Sequence, residues 1–348
     1  MRPNLNNRLR PLARLALFFS VLCAALPAFA AEEPVLNLYS HRHYESDDQL
    51  FETFKKKTGI TVNVTQATAD QLIARLRGEG KDTSADLLVT VDAGRLANAK
   101  SLELLQPVDS PVLKKEIPAN LRDPENYWFG FTVRSRVIVY SKDRVKPGEV
   151  KTYADLADPK WKGKLLIRSG ESVYNQSLVA SLIANDGAAK AAAWVAAVGE
   201  NLARKPLGGD REQVSAIARN LGDVALVNSY YLGQMSVSKD PAEREAFSKV
   251  TIVFPNQADR GAHINISGAG IAKYAKHPEN ARKFLEFLAS DEAQKVFPAE
   301  TFEYPVDLSH DTSPLHKTWG PFKADPLNLG ELGKNHKAAV MLLEEGGW

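Results

Sequence analysis

The stretch PVLNLYSHRHYESDDQLFETFKKKTGITVNV, residues 34–64, contains two strand-like segments on either side of a helix-like segment. Residues 35–40 and 60–64 are rich in apolar and β-branched side chains, which is typical of buried strands. Between them, the apolar side chains of Leu50, Phe51 and Phe54 recur at helical spacing. Gly59 ends the predicted helix. A strand, a helix and a strand at this spacing predict a parallel βαβ unit.

The same alternation continues along the chain. Thr68 and Gln71 form a capping-box pair at the start of a second helix, and residues 86–92 predict a third strand. Further strands are predicted at 129–140, 164–168, 223–228 and 264–271, the last as a strand and turn containing Gly268 and Gly270. Further helices are predicted at 173–185, 188–198, 280–288 and 337–344. The pattern predicts an α/β protein with two lobes, each an open α/β sheet with helices on both faces, and a cleft between them.

We expect the following division of the chain. Residues 1–30 form a signal peptide, 31–128 the first part of lobe one, and 129–263 lobe two with crossing segments at its ends. Residues 264–306 return to lobe one. The C-terminal segment, 307–348, is loop-rich until a terminal helix that packs on lobe two.

The N-terminus predicts secretion. Residues 1–14 are basic, residues 15–26 are apolar, and Ala28-Phe29-Ala30 fits the small-x-small rule, so we expect cleavage after Ala30. An apolar run of about twelve residues is too short to span a bilayer, so no stable membrane anchor is expected. The single cysteine, Cys23, lies in this segment, and the mature chain therefore lacks a thiol, as suits an oxidising compartment.

Composition excludes several classes of protein. The chain has 348 residues, of which 44% are hydrophobic and 25% charged, which excludes a disordered chain and a polytopic membrane protein. The formal net charge is +2, but four arginines of the N-terminal segment leave 40 basic against 42 acidic residues in the rest. No nucleic-acid partner is expected from this balance. The G-x-S-x-G, P-loop, G-x-G-x-x-G and H-E-x-x-H motifs do not occur.

Tyrosines follow three predicted strands, each at the start of a helix. His43 and Tyr44 follow the first strand, Tyr174 follows the strand at 164–168, and Tyr230 and Tyr231 follow the strand at 223–228. Ligands of open α/β sheets bind at the carboxyl ends of strands, where helix N-termini favour anionic groups. A phenolate cluster is expected there.

The chain resembles the periplasmic ferric-iron-binding proteins of ABC-type iron importers, the tyrosine-rich type with a His-Tyr pair after the first strand. The similarity runs through almost the whole mature chain. It is carried by YSHRHY at 39–44, ADLL at 85–88, DPKWKG at 158–163, SVYNQS at 172–177, ALVNSYY at 225–231, FPNQ at 254–257 and GAHINISG at 261–268.

The resemblance implies a two-lobed solute-binding protein of type II, and a site for the transported ligand, Fe³⁺, that spans the cleft. His43 would be a nitrogen donor; the phenolate donors would be Tyr44, Tyr174, Tyr230 and Tyr231. Arg42 or Arg204 would be the residue holding an accompanying anion. The resemblance further implies a periplasmic monomer without enzymatic activity, whose partners are an inner-membrane permease and its ATPase.

The chemistry of the donors agrees with this resemblance. Ferric iron is a hard cation that prefers anionic oxygen, and four phenolates give it a formal charge of −1, so we expect no further anion. A polyamine or another small organic solute is an alternative, with Asp47, Asp92 and Asp210 as acidic candidates. A secreted metalloenzyme with an open coordination position is a second alternative.

Overall fold

A computed structural model describes Met1, residues 34–42 and residues 47–348. The predicted signal peptide, its cleavage after Ala30, and the pair His43 and Tyr44 therefore lie outside the described residues. The described strands are β1 Val35–Ser40, β2 Thr61–Gln66, β3 Leu87–Thr90, β4 Leu105–Gln106, β5 Phe129–Ser141, β6 Leu165–Leu166, β7 Val224–Asn228, β8 Val250–Val253, β9 Ile264–Ala272 and β10 Tyr304–Pro305.

Helices cover much of the remaining described chain. They are α1 Asp47–Thr58, α2 Ala69–Glu79, α3 Ala93–Ser101, α4 Pro111–Glu116, α5 Val173–Asp186, α6 Ala188–Glu200, α7 Asp210–Ala218, α8 Ser229–Ser236, α9 Pro241–Ser248, α10 Pro278–Leu288, α11 Asp291–Glu300, α12 Pro314–Trp319 and α13 Gly330–Glu345. Short 3₁₀ turns occupy Gly80–Asp82, Ala119–Leu121, Ala154–Ala157, Pro159–Trp161 and Leu308–His310. Among the described helices, none has the length and apolar character needed to cross a membrane.

The first βαβ units form as predicted. Strand β1 pairs in parallel with β2, where Leu38 faces Val64, and with β3, where Tyr39 faces Leu88. The capping box is also confirmed, because the Thr68 side chain accepts from the Gln71 backbone and the Gln71 side chain accepts from the Thr68 backbone. The carboxyl ends of β1 and β3 consequently lie at one edge of the sheet.

Strand β5 is shared by two sheets. Its first half, Phe129 to Ser135, pairs antiparallel with β9, and its second half, Arg136 to Ser141, pairs with β7 and β8. The strand order β2-β1-β3-β9-β5-β7-β6 therefore runs from one sheet into the other through this one strand. All thirteen residues of β5 are buried, so the strand forms part of the core throughout.

The prediction of a turn at Gly268 and Gly270 is wrong, because β9 continues without a break through both residues. A Cβ atom at Gly268 would lie 2.5 Å from the Phe129 carbonyl oxygen, and one at Gly270 would lie 2.6 Å from the Tyr127 oxygen. These glycines permit a close approach between neighbouring segments of backbone, which is the other common reason for glycine in a strand.

The C-terminal segment contains more helix than predicted. Helix α12 was not expected, and α13 begins at Gly330, seven residues before the predicted start. Helix α13 packs against α5 and α6 and also against α3. The contact with α3 is close, since a methyl group added at Gly333 would overlap Ala97. The division of the chain into lobes at residues 129, 264 and 307 stays a prediction.

The core around α1 supplies a test of the packing. Phe54 is fully buried, and its ring meets that of Phe284 edge-on with a centroid distance of 5.0 Å. Phe54→Ala should lower the free energy of unfolding by about 3–5 kcal/mol because it leaves a cavity. Lys56→Ala on the exposed face of the same helix should change it by less than about 0.5 kcal/mol. Urea denaturation measures both, and equal effects would contradict this packing.

Candidate functional site

Three of the predicted donor residues come together in the structure. The Tyr174 hydroxyl lies 3.3 Å from the Tyr230 hydroxyl, and the Tyr230 and Tyr231 rings lie 4.2 Å apart with an interplanar angle of 32°. Tyr230 is buried, whereas Tyr174 and Tyr231 are half-buried. Tyrosines far apart in the sequence thus form one phenol cluster, as predicted from their positions after two strands.

Two helix N-termini place these rings. Tyr174 is the second residue of α5, and Tyr230 and Tyr231 are the second and third residues of α8. Neither helix has a side-chain cap, although Ser172 and Asn228 occupy the cap positions. Helix N-termini carry partial positive charge and backbone N–H groups without intrahelical partners, so they stabilise negative charge on the adjacent phenols.

A buried ion pair fixes the start of both helices. Arg136 on β5 donates to Asp210 at 2.8 Å and to the side chain of Asn175, the neighbour of Tyr174, at 2.8 Å. Asp210 also accepts from the backbone N–H of Asn228, immediately before α8, at 2.8 Å. The pair therefore connects the segments that carry the three tyrosines.

Three guanidinium groups lie near the phenol cluster. The Arg168 guanidinium lies 5.0 Å from the centre of the Tyr174 ring, with Arg136 at 6.0 Å, and Arg134 lies 5.8 Å from the centre of the Tyr230 ring. Two of these guanidinium groups are already paired with carboxylates, Arg136 with Asp210 and Arg134 with Glu303.

The phenol of Tyr231 is protonated in the metal-free protein. Burial raises its pKa well above its usual range, and the nearby Tyr174 and Asp210 act in the same direction. A hydrogen bond to Tyr230 and the charge of Arg168 oppose this shift without reversing it. A ligand that binds the Tyr231 oxygen as phenolate must therefore displace a firmly held proton.

The two arginines predicted to hold an anion have protein partners. Arg42 donates through Nε to Asp47 at 2.9 Å and through Nη1 to Ser267 at 2.9 Å, and it pairs with Glu303. Arg204 donates to Gln213 at 3.4 Å. An anion at Arg42 would have to compete with two buried carboxylates already bonded to it.

The acidic residues weighed for a polyamine are also engaged. Asp47 binds Arg42, and Asp92 caps α3 through the backbone N–H of Arg95. Asp210 is buried and forms an ion pair with Arg136. Within residues 34–42 and 47–348, no group of three or more His, Cys, Asp or Glu side chains is placed to hold a metal.

Sequence analysis missed the charges beneath the tyrosines. Arg134 and Arg136 lie two residues apart in the otherwise apolar strand sequence FGFTVRSRVIVYS, and both are buried. Two arginines at alternate positions of a strand that has no exposed residue indicate buried ion pairs, because such charges require partners. This signal was available in the sequence. The partner Glu303 carried no such signal.

The chain is similar to known solute-binding proteins. The profile of a family described as bacterial extracellular solute-binding protein matches residues 82–323. Iron uptake protein A1 of Synechocystis is 44% identical over 317 residues, 91% of this chain and 88% of its own. The major ferric iron-binding protein of Neisseria meningitidis is 27% identical over 343 residues, 96% of this chain and 98% of its own.

A similar structure has also been solved. The Trichodesmium protein IdiA (FutA), in complex with iron and citrate ligands, has a TM-score of 0.88 and 47% identity, covering 90% of this chain and 99% of that one. The predicted two-lobed α/β fold and the predicted resemblance to ferric-iron-binding proteins are confirmed. The chain belongs to the bacterial extracellular solute-binding proteins.

Proposed function

We propose that this protein captures ferric iron in the periplasm through His43 and four phenolates, Tyr44, Tyr174, Tyr230 and Tyr231, and delivers it to the permease and ATPase of an ABC-type importer. The observation that carries the proposal is the 3.3 Å separation of the Tyr174 and Tyr230 hydroxyls, with the Tyr231 ring 4.2 Å from that of Tyr230. The similarity to relatives named for iron uptake and ferric iron binding supports the choice of metal.

The donor set favours a trivalent cation. A tyrosine with an ordinary pKa near 10 costs about 4 kcal/mol to ionise at pH 7, and Tyr231 costs more because its pKa is raised. Only a highly charged, hard metal offsets several such ionisations, whereas Ca²⁺ and Mg²⁺ prefer carboxylates and carbonyls, and Zn²⁺ accepts imidazole and thiolate. The engagement of Asp47, Asp92 and Asp210 with other protein groups weighs against a polyamine.

Replacing the donor oxygens tests the proposal. The iron-loaded protein should show a visible phenolate-to-iron charge-transfer band that bleaches when a reductant is added. Tyr230→Phe and Tyr231→Phe keep the ring and remove the oxygen. Each should weaken iron binding by more than about 100-fold, which is more than the loss of an outer-sphere partner causes. Titration against a competing chelator measures the affinity.

The matched control is Tyr140→Phe, on strand β5, because Tyr140 is also buried but lies outside the phenol cluster. It should keep both the band and the affinity of the wild type. A colourless iron-loaded wild type, or equal losses in all three variants, would contradict the proposal.

Iron binding should release protons and weaken as pH falls. Each phenol that becomes a ligand loses a proton it would otherwise hold below about pH 10, so the affinity decreases with acidification. Tyr231→Phe should release about one proton fewer per iron than the wild type, measured in weakly buffered solution with the same ferric chelate. Protons released by the chelate contribute equally to both measurements, so they drop out of the difference between the two proteins. Identical proton release would show that Tyr231 stays protonated.

We also propose that the bound ion needs no additional anion. Four phenolates already give ferric iron a formal charge of −1, and Arg42 is bonded to Asp47 and Glu303. Native mass spectrometry of the iron-loaded protein should show the mass of the chain plus one iron alone. The Trichodesmium structure holds iron with citrate, so a retained carbonate or citrate is the contrary outcome.

A further inference from the structure

Glu303 is a fully buried carboxylate that binds two arginines. It lies between α11 and β10, pairs with Arg42 and with Arg134, and accepts from the Thr132 hydroxyl at 3.0 Å. Burial alone would raise the pKa of this carboxyl, but the charges of Arg134 and Arg42 lower it to about 2. Glu303 is therefore ionised throughout the neutral range.

One of the two arginines, Arg42, adjoins the undescribed residues 43–46 in sequence, and the other, Arg134, lies beside Tyr230. Arg42 directly precedes His43 in the chain, and its Nε binds both carboxylate oxygens of Asp47, at 2.9 and 3.0 Å. Residues 42 and 47, which flank 43–46 in sequence, are thus bonded to each other. Arg134 lies 5.8 Å from the centre of the Tyr230 ring and donates to the Val91 carbonyl at 2.6 Å.

The residue before Glu303, Phe302, contacts α8, the helix that carries Tyr230 and Tyr231. Its backbone has φ of 57°, a left-handed conformation that is rare for a bulky side chain. Its ring lies against Gly233 of α8, where an added methyl group would overlap it. The Phe302 carbonyl lies 3.2 Å from Nε2 of His316, whose Nδ1 lies 3.0 Å from Asp311. Unfavourable backbone conformations of this kind persist where the surrounding contacts impose them, often at functional sites.

We propose that Phe302 and Glu303 together position Tyr230 and Tyr231 as ferric ligands: Glu303 through Arg134, which lies beside the Tyr230 ring, and Phe302 through Gly233 of α8. This inference rests on the proposed function. Neither residue would touch the metal. Their role would be to hold α8 and its two tyrosines in place beside β5, as outer-sphere partners do in other metal sites.

Glu303→Gln tests the electrostatic half of the proposal, because it keeps the shape and removes the charge that Arg42 and Arg134 share. We expect the iron affinity to fall by about 10–100-fold and the charge-transfer band at saturating iron to shift. A purely electrostatic influence would have the opposite sign, since loss of a nearby negative charge favours phenolates. Tighter iron binding would therefore overturn a positioning role.

Asp86→Asn is the matched control. Asp86 is also fully buried, and it accepts hydrogen bonds from the backbone N–H groups of Asn37 at 2.9 Å and His277 at 2.7 Å. It precedes β3 and therefore lies at the opposite end of that strand from Asp92. The same isosteric change there should lower the melting temperature and leave iron affinity and the charge-transfer band unchanged.

Gly233→Ala tests the second half and keeps every charge, so it decides the matter even if Glu303→Gln does not fold. It should weaken iron binding by at least tenfold by displacing Phe302 or α8. A wild type that binds no iron overturns the proposed function itself. If the wild type binds iron, and each of Glu303→Gln and Gly233→Ala that folds keeps the affinity and the charge-transfer band of the wild type, only this inference is overturned.

Discussion

Strand β5 carries two buried guanidinium groups, and much of the described site depends on the requirement that each be neutralised. An unpaired charge in a protein interior is far too costly to keep, so Arg134 and Arg136 must have carboxylate partners. Arg136 finds Asp210, and Arg134 finds Glu303. Because β5 belongs to both sheets, the two ion pairs reach into different parts of the fold. One pair connects the starts of α5 and α8, and the other connects β5 to the segment between α11 and β10, where Glu303 also binds Arg42.

The sequence predicts most of the elements that place the tyrosines. Hydrophobic periodicity locates β1, β5, α5 and β7 to within a few residues, since each is long or strongly apolar. It fails at β9, where Gly268 and Gly270 indicate a turn, because the sequence does not show that another backbone occupies the space their side chains would need. It also misplaces the start of α13, where Gly330 and Gly333 weaken the helical pattern while tertiary contact with α3 stabilises it.

The cluster of tyrosines at the candidate site is predictable from the sequence, whereas the ion pairs that support it are not. Tyr174, Tyr230 and Tyr231 follow strands, and the rule that ligands bind at the carboxyl ends of strands brings them together without any coordinates. The partners of Arg134 and Arg136 are separated from them by 169 and 74 residues, and no local pattern indicates such pairings. Ser177 donates to Asp92 at 2.5 Å in the same way, linking α5 to the N-terminus of α3. Only the folded chain shows these links.

The charge balance of the described site explains why one cation would bind and later leave. Arg42, Arg134, Asp47 and Glu303 form a neutral group, and Arg136 and Asp210 form another, so the cluster with protonated phenols carries little net charge apart from Arg168. Ionising several phenols there is unfavourable unless a strong positive charge enters at the same time, and burial raises the pKa of Tyr231 further. In the proposed site a trivalent ion supplies that charge. Reduction to the divalent state removes one unit of it while the tendency of the phenolates to regain protons is unchanged, so the same imbalance that selects ferric iron also favours its release.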